Sequence, residues 1–218
     1  MSAGATWCVM SDVHGNVQAL DRAIEYARAR GVERFAFLGD ALGDTADSDS
    51  ECLRVLMNTL QIAVFGNREL RVRLAVGDEF KTWLRSLPAT HVAEGALYCH
   101  ASPAGEFPHN ATAADALVLK RRRSYFKLFP YISGRSAVLA AARALPERAA
   151  VCLHGHTHKQ ALWLLRDGEP ERLGGRSASA GDGVLIAGVG SVGEGERGRV
   201  EFALYRPTDR AVELVSLE

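Results

Sequence analysis

The sequence predicts an α/β protein with two sheets. Strand–loop–helix units form the first sheet, and the second sheet stacks on it. Two observations predict this class. Three strand–loop–helix units follow one another before about residue 88, and short strand-like runs separated by glycine-rich turns come after it. Successive units of the first kind are typical of α/β sheets, whereas short strands joined by turns are typical of antiparallel pairs.

The first unit is defined by a change of pattern near residue 16. Thr6–Met10 is an apolar run of strand length, and the polar turn Ser11–Gly15 follows it. From Val17 onward the apolar residues recur at helical spacing. Asn16 is placed to cap this helix and Gly31 to end it.

Two further units follow. Phe35–Leu38 is a second strand, and Ser48 and Glu51 after it have the spacing of a capping box at the start of a helix. Ile62–Phe65 is a third strand, which leads through Gly66–Glu69 into a helical stretch. These three units predict the first sheet.

The remaining strands are predicted to form the second sheet, with antiparallel pairs. The helical signal in this half is mostly confined to residues 113 to 145. The strand-like runs are Ala96–His100, Val151–His154, Ala161–Leu165, Val184–Ala187 and Val200–Tyr205.

Composition limits the class of protein. A chain of 218 residues, 47% of them hydrophobic, is long enough for one substantial core, so a single domain spanning residues 1–218 is expected. Lys plus Arg and Asp plus Glu are 26 each, so no net field attracts nucleic acid or an anionic membrane. Any preference for a charged partner must be local.

The cysteines and the apolar runs indicate a cytoplasmic location without membrane partners. None of the four cysteines forms a C-x-x-C pair, and each lies in or beside an apolar run, as reduced core cysteines do. No apolar stretch approaches the roughly 20 residues of a membrane helix, and the N-terminus lacks the pattern of a signal peptide.

Seven polar residues lie just beyond the ends of strand-like runs. Each alone would be an ordinary turn former, helix cap or core histidine. In an α/β sheet, however, residues at the carboxyl ends of strands meet in one crevice. The seven residues are Asp12, His14, Asp40, Asn67, His100, His156 and His158.

The chemistry of this set predicts two metal ions. Carboxylate, imidazole and amide oxygen suit manganese, which is expected here, or iron, zinc, nickel or cobalt. Seven ligands with one shared carboxylate would hold two ions. Two neighbouring ions can stabilise the attacking and leaving oxygens of an in-line displacement, which makes phosphoester hydrolysis the natural reaction.

The order of these residues resembles that of the calcineurin-like metallophosphoesterase superfamily over about residues 6 to 165. The elements that carry the resemblance are Asp12-x-His14, Gly39-Asp40, Gly66-Asn67, Cys99-His100 and Gly155-His156-Thr157-His158. The resemblance implies a four-layer α/β/β/α sandwich with two stacked mixed sheets.

The resemblance also implies how the ligands are divided. Asp12, His14 and His158 would bind one ion, and Asn67, His100 and His156 the other. The carboxylate of Asp40 would bridge the two, and a metal-bridged hydroxide would attack phosphorus.

Two further segments are similar to small bacterial phosphodiesterases of this superfamily. They are Cys99–Pro103, in which Ala101 replaces a glycine, and Gly188–Gly193, which lacks the usual Asn-Pro at its start. This similarity favours a phosphodiesterase acting on a small ester, for example a nucleotide.

Arg68 is the main departure from the family pattern, which usually has a histidine there that protonates the leaving group or stabilises the transition state. Arginine cannot release a proton near neutral pH, but its planar cation can bind phosphate oxygens. Arg68 is therefore predicted to bind substrate and to assist catalysis electrostatically. His109, in the loop after His100, is a candidate for the missing acid and for substrate binding.

Two other features have a structural interpretation as well as a functional one. His154 is interpreted as structural. Lys120–Phe129 mixes basic and aromatic residues, as a surface that grips phosphates and stacks bases does, but a solvated helix face is the favoured interpretation. The segment could also line the substrate entrance.

Four other functions stay open. The same core motifs occur in phosphomonoesterases, in protein phosphatases and in a non-catalytic scaffold with a degraded site, and a nucleic-acid-binding module is a further alternative. The complete set of seven ligands argues against the scaffold. Exposed late strands could also pair between subunits of a homo-oligomer.

Overall fold

A computed structural model describes residues 6–71, 75–108 and 110–218. The helices in these ranges are α1 (Val17–Ala29), α2 (Ala46–Thr59), α3 (Asp78–Ser86), α4 (Ala113–Leu119), α5 (Tyr125–Leu128) and α6 (Arg135–Arg143). The strands are β1 (Trp7–Met10), β2 (Arg34–Phe37), β3 (Ile62–Ala63), β4 (Thr90–Ala93), β5 (Ala96–Cys99), β6 (Val151–His154), β7 (Gln160–Arg166), β8 (Glu169–Leu173), β9 (Ser177–Ser179), β10 (Val184–Val189), β11 (Val200–Arg206) and β12 (Ala211–Leu217).

Within the described ranges, the strands form two six-stranded mixed sheets. The strand order is β3-β2-β1-β11-β12-β9 in the first sheet and β4-β5-β6-β10-β7-β8 in the second. β1, β2 and β3 run parallel to one another, and so do β5 and β6, whereas β11 and β7 pair antiparallel with their neighbours. The predicted α/β class with two mixed sheets is confirmed.

Strand β1 shows how the layers are stacked. Trp7 and Val9 belong to the core between the two sheets, whereas Cys8 and Met10 belong to the core beneath α1 and α2. Successive side chains of a strand point to opposite faces, so β1 is buried on both faces. The outer face of the second sheet packs against α6 through Val138 and its neighbours. The layers are therefore helix, sheet, sheet and helix.

The assignment of Val200–Tyr205 to the second sheet was wrong. This run is part of β11, which lies beside β1 in the first sheet, with Tyr205 opposite Trp7. β12 and β9 continue that sheet. Apolar alternation predicts that a run is a strand, but it carries no information about the partner with which the strand pairs.

The capping box predicted at Ser48 and Glu51 was also wrong. Helix α2 begins earlier, at Ala46, with Thr45 as its extended N-cap residue. Ser48 lies inside the first turn, where its Oγ donates to the backbone oxygen of Thr45. The cap predicted for α1 is confirmed, because Asn16 Oδ1 accepts a hydrogen bond of 3.1 Å from the backbone nitrogen of Ala19.

The helices are short. Among the residues that the structure describes, no helix combines the length and the apolar character needed to span a membrane.

Candidate metal centre

The seven predicted ligands lie together where strands from both sheets end. Asp12 and His14 follow β1, Asp40 follows β2 and Asn67 follows β3, all in the first sheet. The other three belong to the second sheet, where β5 precedes His100 and β6 precedes His156 and His158. The carboxyl edges of the parallel strands in the two stacked sheets therefore open onto one crevice.

Five of the seven residues have an unusual backbone conformation. Their φ angles are positive although none is glycine, with values of 53° for Asp12, 50° for His14, 60° for Asp40, 64° for His156 and 55° for His158. Non-glycine residues rarely adopt this region, at a cost on the order of 1 kcal/mol each, and such strain clusters at functional sites. The turns aim these side chains into the crevice at the expense of local stability.

Backbone hydrogen bonds fix the strained turns to one another. The backbone nitrogen of Asp12 donates to Gly39 O at 2.9 Å, and that of His14 donates to Asp40 O at 3.1 Å. The backbone nitrogen of His156 donates to Asp12 Oδ2 at 2.9 Å. The last bond joins the first sheet to the second, so the carboxylate of Asp12 helps to set the distance between them.

Gly155 and Gly193 permit the loops around Asp12 to approach one another closely. A Cβ atom on Gly155 would overlap Ser11 Oγ and lie 2.5 Å from Asp12 Oδ2. On the other side, the backbone oxygen of Asp12 accepts hydrogen bonds from Gly193 N at 3.0 Å and from Ser191 Oγ at 2.8 Å. The segment Gly188–Gly193, which the sequence singled out, therefore supports the turn after β1.

The first group of ligand atoms is formed by Asp12, His14 and His158. His158 Nε2 lies 3.2 Å from Asp12 Oδ1 and 3.1 Å from His14 Nε2, and His14 Nε2 lies 3.7 Å from Asp12 Oδ1. Atoms bound about 2.0–2.2 Å from one ion are separated by about 3 to 3.5 Å. Glu194, which the sequence did not predict, places Oε2 3.4 Å from His158 Nδ1 and orients that ring.

The second group is formed around His100. Its Nε2 lies 3.1 Å from Asn67 Oδ1 and 3.6 Å from Asp40 Oδ1. Its Nδ1 lies 2.8 Å from Leu38 O, which leaves Nε2 to face the crevice. The ring of His156 lies 4.9 Å from that of His100. His100 therefore lies beside the other three predicted ligands of this group, Asp40, Asn67 and His156.

Several buried atoms in these two groups fit a bound cation. Asp12 Oδ1 and His156 Nε2 are buried and have no hydrogen-bond partner among the described residues. Buried polar atoms are normally paired, because leaving one unpaired costs about 1–3 kcal/mol. Asp12, His14 and His158 can offer three ligand atoms within 4.8 Å of one another, and so can Asp12, Asp40 and His100. The chain carries candidate metal-ligand groups of the expected chemistry.

The electrostatics of the crevice also favour a cation. Burial, followed by the charge of Asp12, raises the pKa of Asp40 to about 8. Burial alone would raise the pKa of Asp12 too, but His100 and the contact with His158 lower it to about 2. Burial lowers the pKa of His156 to about 3, so its ring is neutral and able to ligate. A cation between the two carboxylates would relieve their repulsion.

Glu69 is a positioning residue that the sequence did not predict. It is fully buried, and its carboxylate accepts hydrogen bonds from the backbone nitrogens of Asp40 at 2.8 Å, Ala41 at 2.9 Å and Gly66 at 2.6 Å. It thus joins the turns after β2 and β3, which carry Asp40 and Asn67. Its place in Gly66–Glu69 was visible in the sequence, but nothing in that pattern distinguished it from a surface glutamate.

Arg68 lies at the open side of the crevice. Its backbone nitrogen donates to Asp40 Oδ1 at 2.7 Å, and its Nη1 lies 3.5 Å from the exposed carboxylate of Asp44. The charge of Arg68 also acts to lower the pKa of Asp40 and of His14. His109, the other predicted substrate-binding residue, lies outside the described residues.

His154 and the basic segment Lys120–Phe129 are the two remaining features that the sequence singled out near this centre. His154 is buried, with Nδ1 3.0 Å from Gly155 O, and burial lowers its pKa to about 4. This agrees with a structural role. In the basic segment, Phe129 is buried 6.0 Å from the rings of His100 and His156, whereas Arg121 to Arg123 are exposed.

Replacing Glu69 by glutamine should loosen the turns that carry Asp40 and Asn67. The amide keeps one acceptor oxygen but presents an NH₂ group to backbone donors, so at least one charged hydrogen bond is lost. We expect the free energy of unfolding to fall by about 2–3 kcal/mol in urea titrations. Glu25→Gln, at an exposed position in the interior of α1, should leave it unchanged, and an equal loss in both variants would contradict this role for Glu69.

The stability of the metal-free chain should fall between pH 7 and pH 8. In this range the unfolded chain has already lost the Asp40 proton, whereas the folded chain keeps it up to a pKa of about 8. Folding therefore takes up a proton, and raising the pH disfavours it by up to about 1.4 kcal/mol per unit. The raised pKa of His158 acts in the same direction.

Urea titrations in the presence of a chelator would measure this slope. Asp40→Asn, which replaces the carboxyl by a neutral group of the same shape, should flatten most of it. A slope that is the same in this variant and in the unchanged chain would show that Asp40 is not the group responsible.

Comparisons with known proteins support the fold and the family. The computed structure is similar to the crystal structure of a metallophosphoesterase from Sphaerobacter thermophilus, with 20% identity, 99% of this chain and 89% of that chain covered, and a TM-score of 0.75. An archaeal phosphodiesterase matches with 15% identity, 97% and 99% coverage and a TM-score of 0.56. A candidate diadenosine tetraphosphatase matches with 17% identity, 100% and 95% coverage and a TM-score of 0.55.

At these identities the three structures show the fold, which is the one expected. No curated protein matches the sequence. The family model described as the calcineurin-like phosphoesterase superfamily domain matches residues 6–210, nearly the whole chain. The chain therefore belongs to the calcineurin-like phosphoesterase superfamily.

Proposed function

We propose that this chain is a phosphodiesterase that holds two divalent cations, expected to be manganese, and hydrolyses a small phosphoester such as a nucleotide. Membership of the superfamily supports a phosphoester hydrolase. The observation that carries the proposal is the meeting of two groups of candidate ligand atoms around two buried carboxylates, with Asp12 Oδ1 and His156 Nε2 unpaired among the described residues.

The residues divide between the two cations as the resemblance implies. Asp12, His14 and His158 would hold one, Asn67, His100 and His156 would hold the other, and Asp40 would contact both. Two such ions, when bound, supply Lewis acidity toward phosphate oxygens and lower the pKa of water so that it can act as the nucleophile.

The chain's own residues provide positioning and charge. Leu38 O, Glu69 and the backbone nitrogen of Arg68 hold His100 and Asp40 in place. The guanidinium of Arg68 stands at the open side, where its only described carboxylate contact is with exposed Asp44. A substrate phosphate can displace that weak contact and accept the guanidinium donors. Because arginine gives up no proton, leaving groups that need none should react best.

The preference for diesters is supported by the phosphodiesterase-like segments Cys99–Pro103 and Gly188–Gly193. It is also supported by the similarity of the fold to that of an archaeal phosphodiesterase. We further propose that residues 1–218 act as one domain in the cytoplasm, where the four free, buried cysteines would stay reduced.

Hydrolysis assays with added manganese test this function directly. We expect bis-p-nitrophenyl phosphate to be hydrolysed faster than p-nitrophenyl phosphate, because the site is proposed to prefer diesters and p-nitrophenolate leaves either ester without a proton donor. Asp40→Asn should abolish turnover of both, since it removes the carboxylate that is proposed to contact both ions. Arg68→His should gain activity toward an alkyl monoester such as glycerol phosphate, because its leaving group needs a proton that histidine can give and arginine cannot.

Asp21→Asn is the matched control, because Asp21 is exposed on α1. It should behave as the unchanged chain does. Faster turnover of the monoester would favour a phosphomonoesterase. Absence of turnover with every divalent metal, in a folded chain that binds the ions, would reject the hydrolase and favour a metal-binding scaffold.

A further inference from the structure

Exposed apolar side chains are concentrated beside the candidate metal centre. Of the five large apolar residues that the structure describes as exposed, three lie within seven positions of one another. Tyr125 is 38% exposed, Phe126 70% and Tyr131 44%. We call these three residues the aromatic ledge. Single exposed apolar residues need no explanation, but a cluster of aromatic rings at a site marks a binding surface.

The aromatic ledge is in direct contact with a predicted metal ligand. The ring of Tyr131 stacks on that of His156, with centroids 4.3 Å apart and planes inclined by 18°. The centroid of the Tyr125 ring lies 6.0 Å from that of His156 and 5.6 Å from that of buried Phe129. Phe129 in turn packs against His156, with centroids 6.0 Å apart. A planar group on the aromatic ledge would therefore lie beside His156, next to a phosphate held at the centre.

Several positively charged residues lie next to the aromatic ledge in the chain. Arg121, Arg122 and Arg123 are exposed in the turn before α5. Arg123 and Lys127 share one carboxylate, that of Glu106, at 2.9 Å and 3.6 Å. The segment therefore keeps an excess of cations, which suits a ligand that carries both a planar ring and a phosphate.

A second copy of the chain is a poorer occupant. A twofold dimer through the aromatic ledge places the same patch of both copies face to face. The cations of residues 121 to 123 would then face their own counterparts, which is unfavourable. The charge of the patch favours an anionic partner instead.

We propose that the aromatic ledge binds the planar ring of the substrate, a nucleobase or an aryl group, by stacking while the phosphate lies at the metal centre. This inference rests on the proposed function and adds to it the class of substrate. Stacking on an aromatic side chain contributes about 1–3 kcal/mol per base, which corresponds to roughly 5-fold to 150-fold in affinity.

Calorimetric binding to the manganese-loaded chain tests the inference with AMP, phenyl phosphate and ribose 5-phosphate. These three monoesters share a phosphate and differ in the ring. We expect AMP, phenyl phosphate or both to bind at least about 5-fold more tightly than ribose 5-phosphate. Preference for AMP identifies a nucleobase, and preference for phenyl phosphate identifies a simple aryl group.

Substitutions in the aromatic ledge test whether its residues cause the preference for a ligand with a ring. Phe126→Ala and Tyr131→Leu should each reduce the preference for the ring, whereas Tyr131→Phe should retain it because the ring is kept. Met57→Ala, which removes an exposed apolar side chain on α2, is the control and should change nothing. Equal affinity for all three ligands, or a preference that survives both ring-removing substitutions together, would overturn the inference. The inference would also be overturned if the unchanged chain formed a dimer that dissociates on the Phe126→Ala substitution, because the aromatic ledge would then be a dimer interface.

The same protein preparations separate this inference from the proposed function. Turnover of bis-p-nitrophenyl phosphate without any preference for a ring would refute the aromatic ledge and leave the hydrolase standing. A ring preference without turnover would support the aromatic ledge and refute the hydrolase.

Discussion

The hydrogen bonds of Asp12 are the constraint on which the rest of the candidate centre depends. This buried residue connects its own turn after β1 to three other segments. Its backbone nitrogen and oxygen contact the turn after β2 and the loop after β10, and its Oδ2 accepts a hydrogen bond from the backbone nitrogen of His156, after β6. Strands of both sheets thus end at a fixed separation. The remaining oxygen, Oδ1, is left without a hydrogen bond and faces His14 and His158. One side chain therefore both ties the sheets together and offers a ligand atom.

This arrangement has an energetic consequence. Five strained backbone positions, two neighbouring buried carboxylates and several unpaired buried atoms each destabilise the metal-free chain. The cores on both faces of β1 must offset that cost. Bound cations would remove much of it, since they pair the orphaned atoms and neutralise the repulsion between Asp12 and Asp40. Cation binding and the stability of the fold are therefore expected to be coupled.

The sequence predicted those features that are set by local pattern. Strand ends followed by polar residues identified all seven side chains that the structure brings together, because parallel strands end at a common edge. The sheet that contains β11 was predicted wrongly, since strand pairing depends on contacts distant in sequence. Glu69 and Glu194 were missed for the same reason. Their roles come from which backbone nitrogen or histidine ring lies opposite them, and no spacing in the chain reports that.

The stacking of Tyr131 on His156 was equally invisible in the sequence. The composition of Lys120–Phe129 is also that of a surface that binds phosphates and bases, but a solvated helix face was the favoured interpretation. The charged residues of the segment are exposed. The contact between the aromatic rings and His156, a predicted ligand, however, exists only because the loop after α5 folds back over the end of β6.

Crystals soaked in manganese, measured at a wavelength where that metal scatters anomalously, would test the central claim most directly. The account predicts two anomalous peaks a few Å apart, roughly 3.5 to 4, with Asp40 in contact with both ions. A single peak, a pair of peaks away from Asp12 and Asp40, or none at full manganese occupancy of the solution would contradict it.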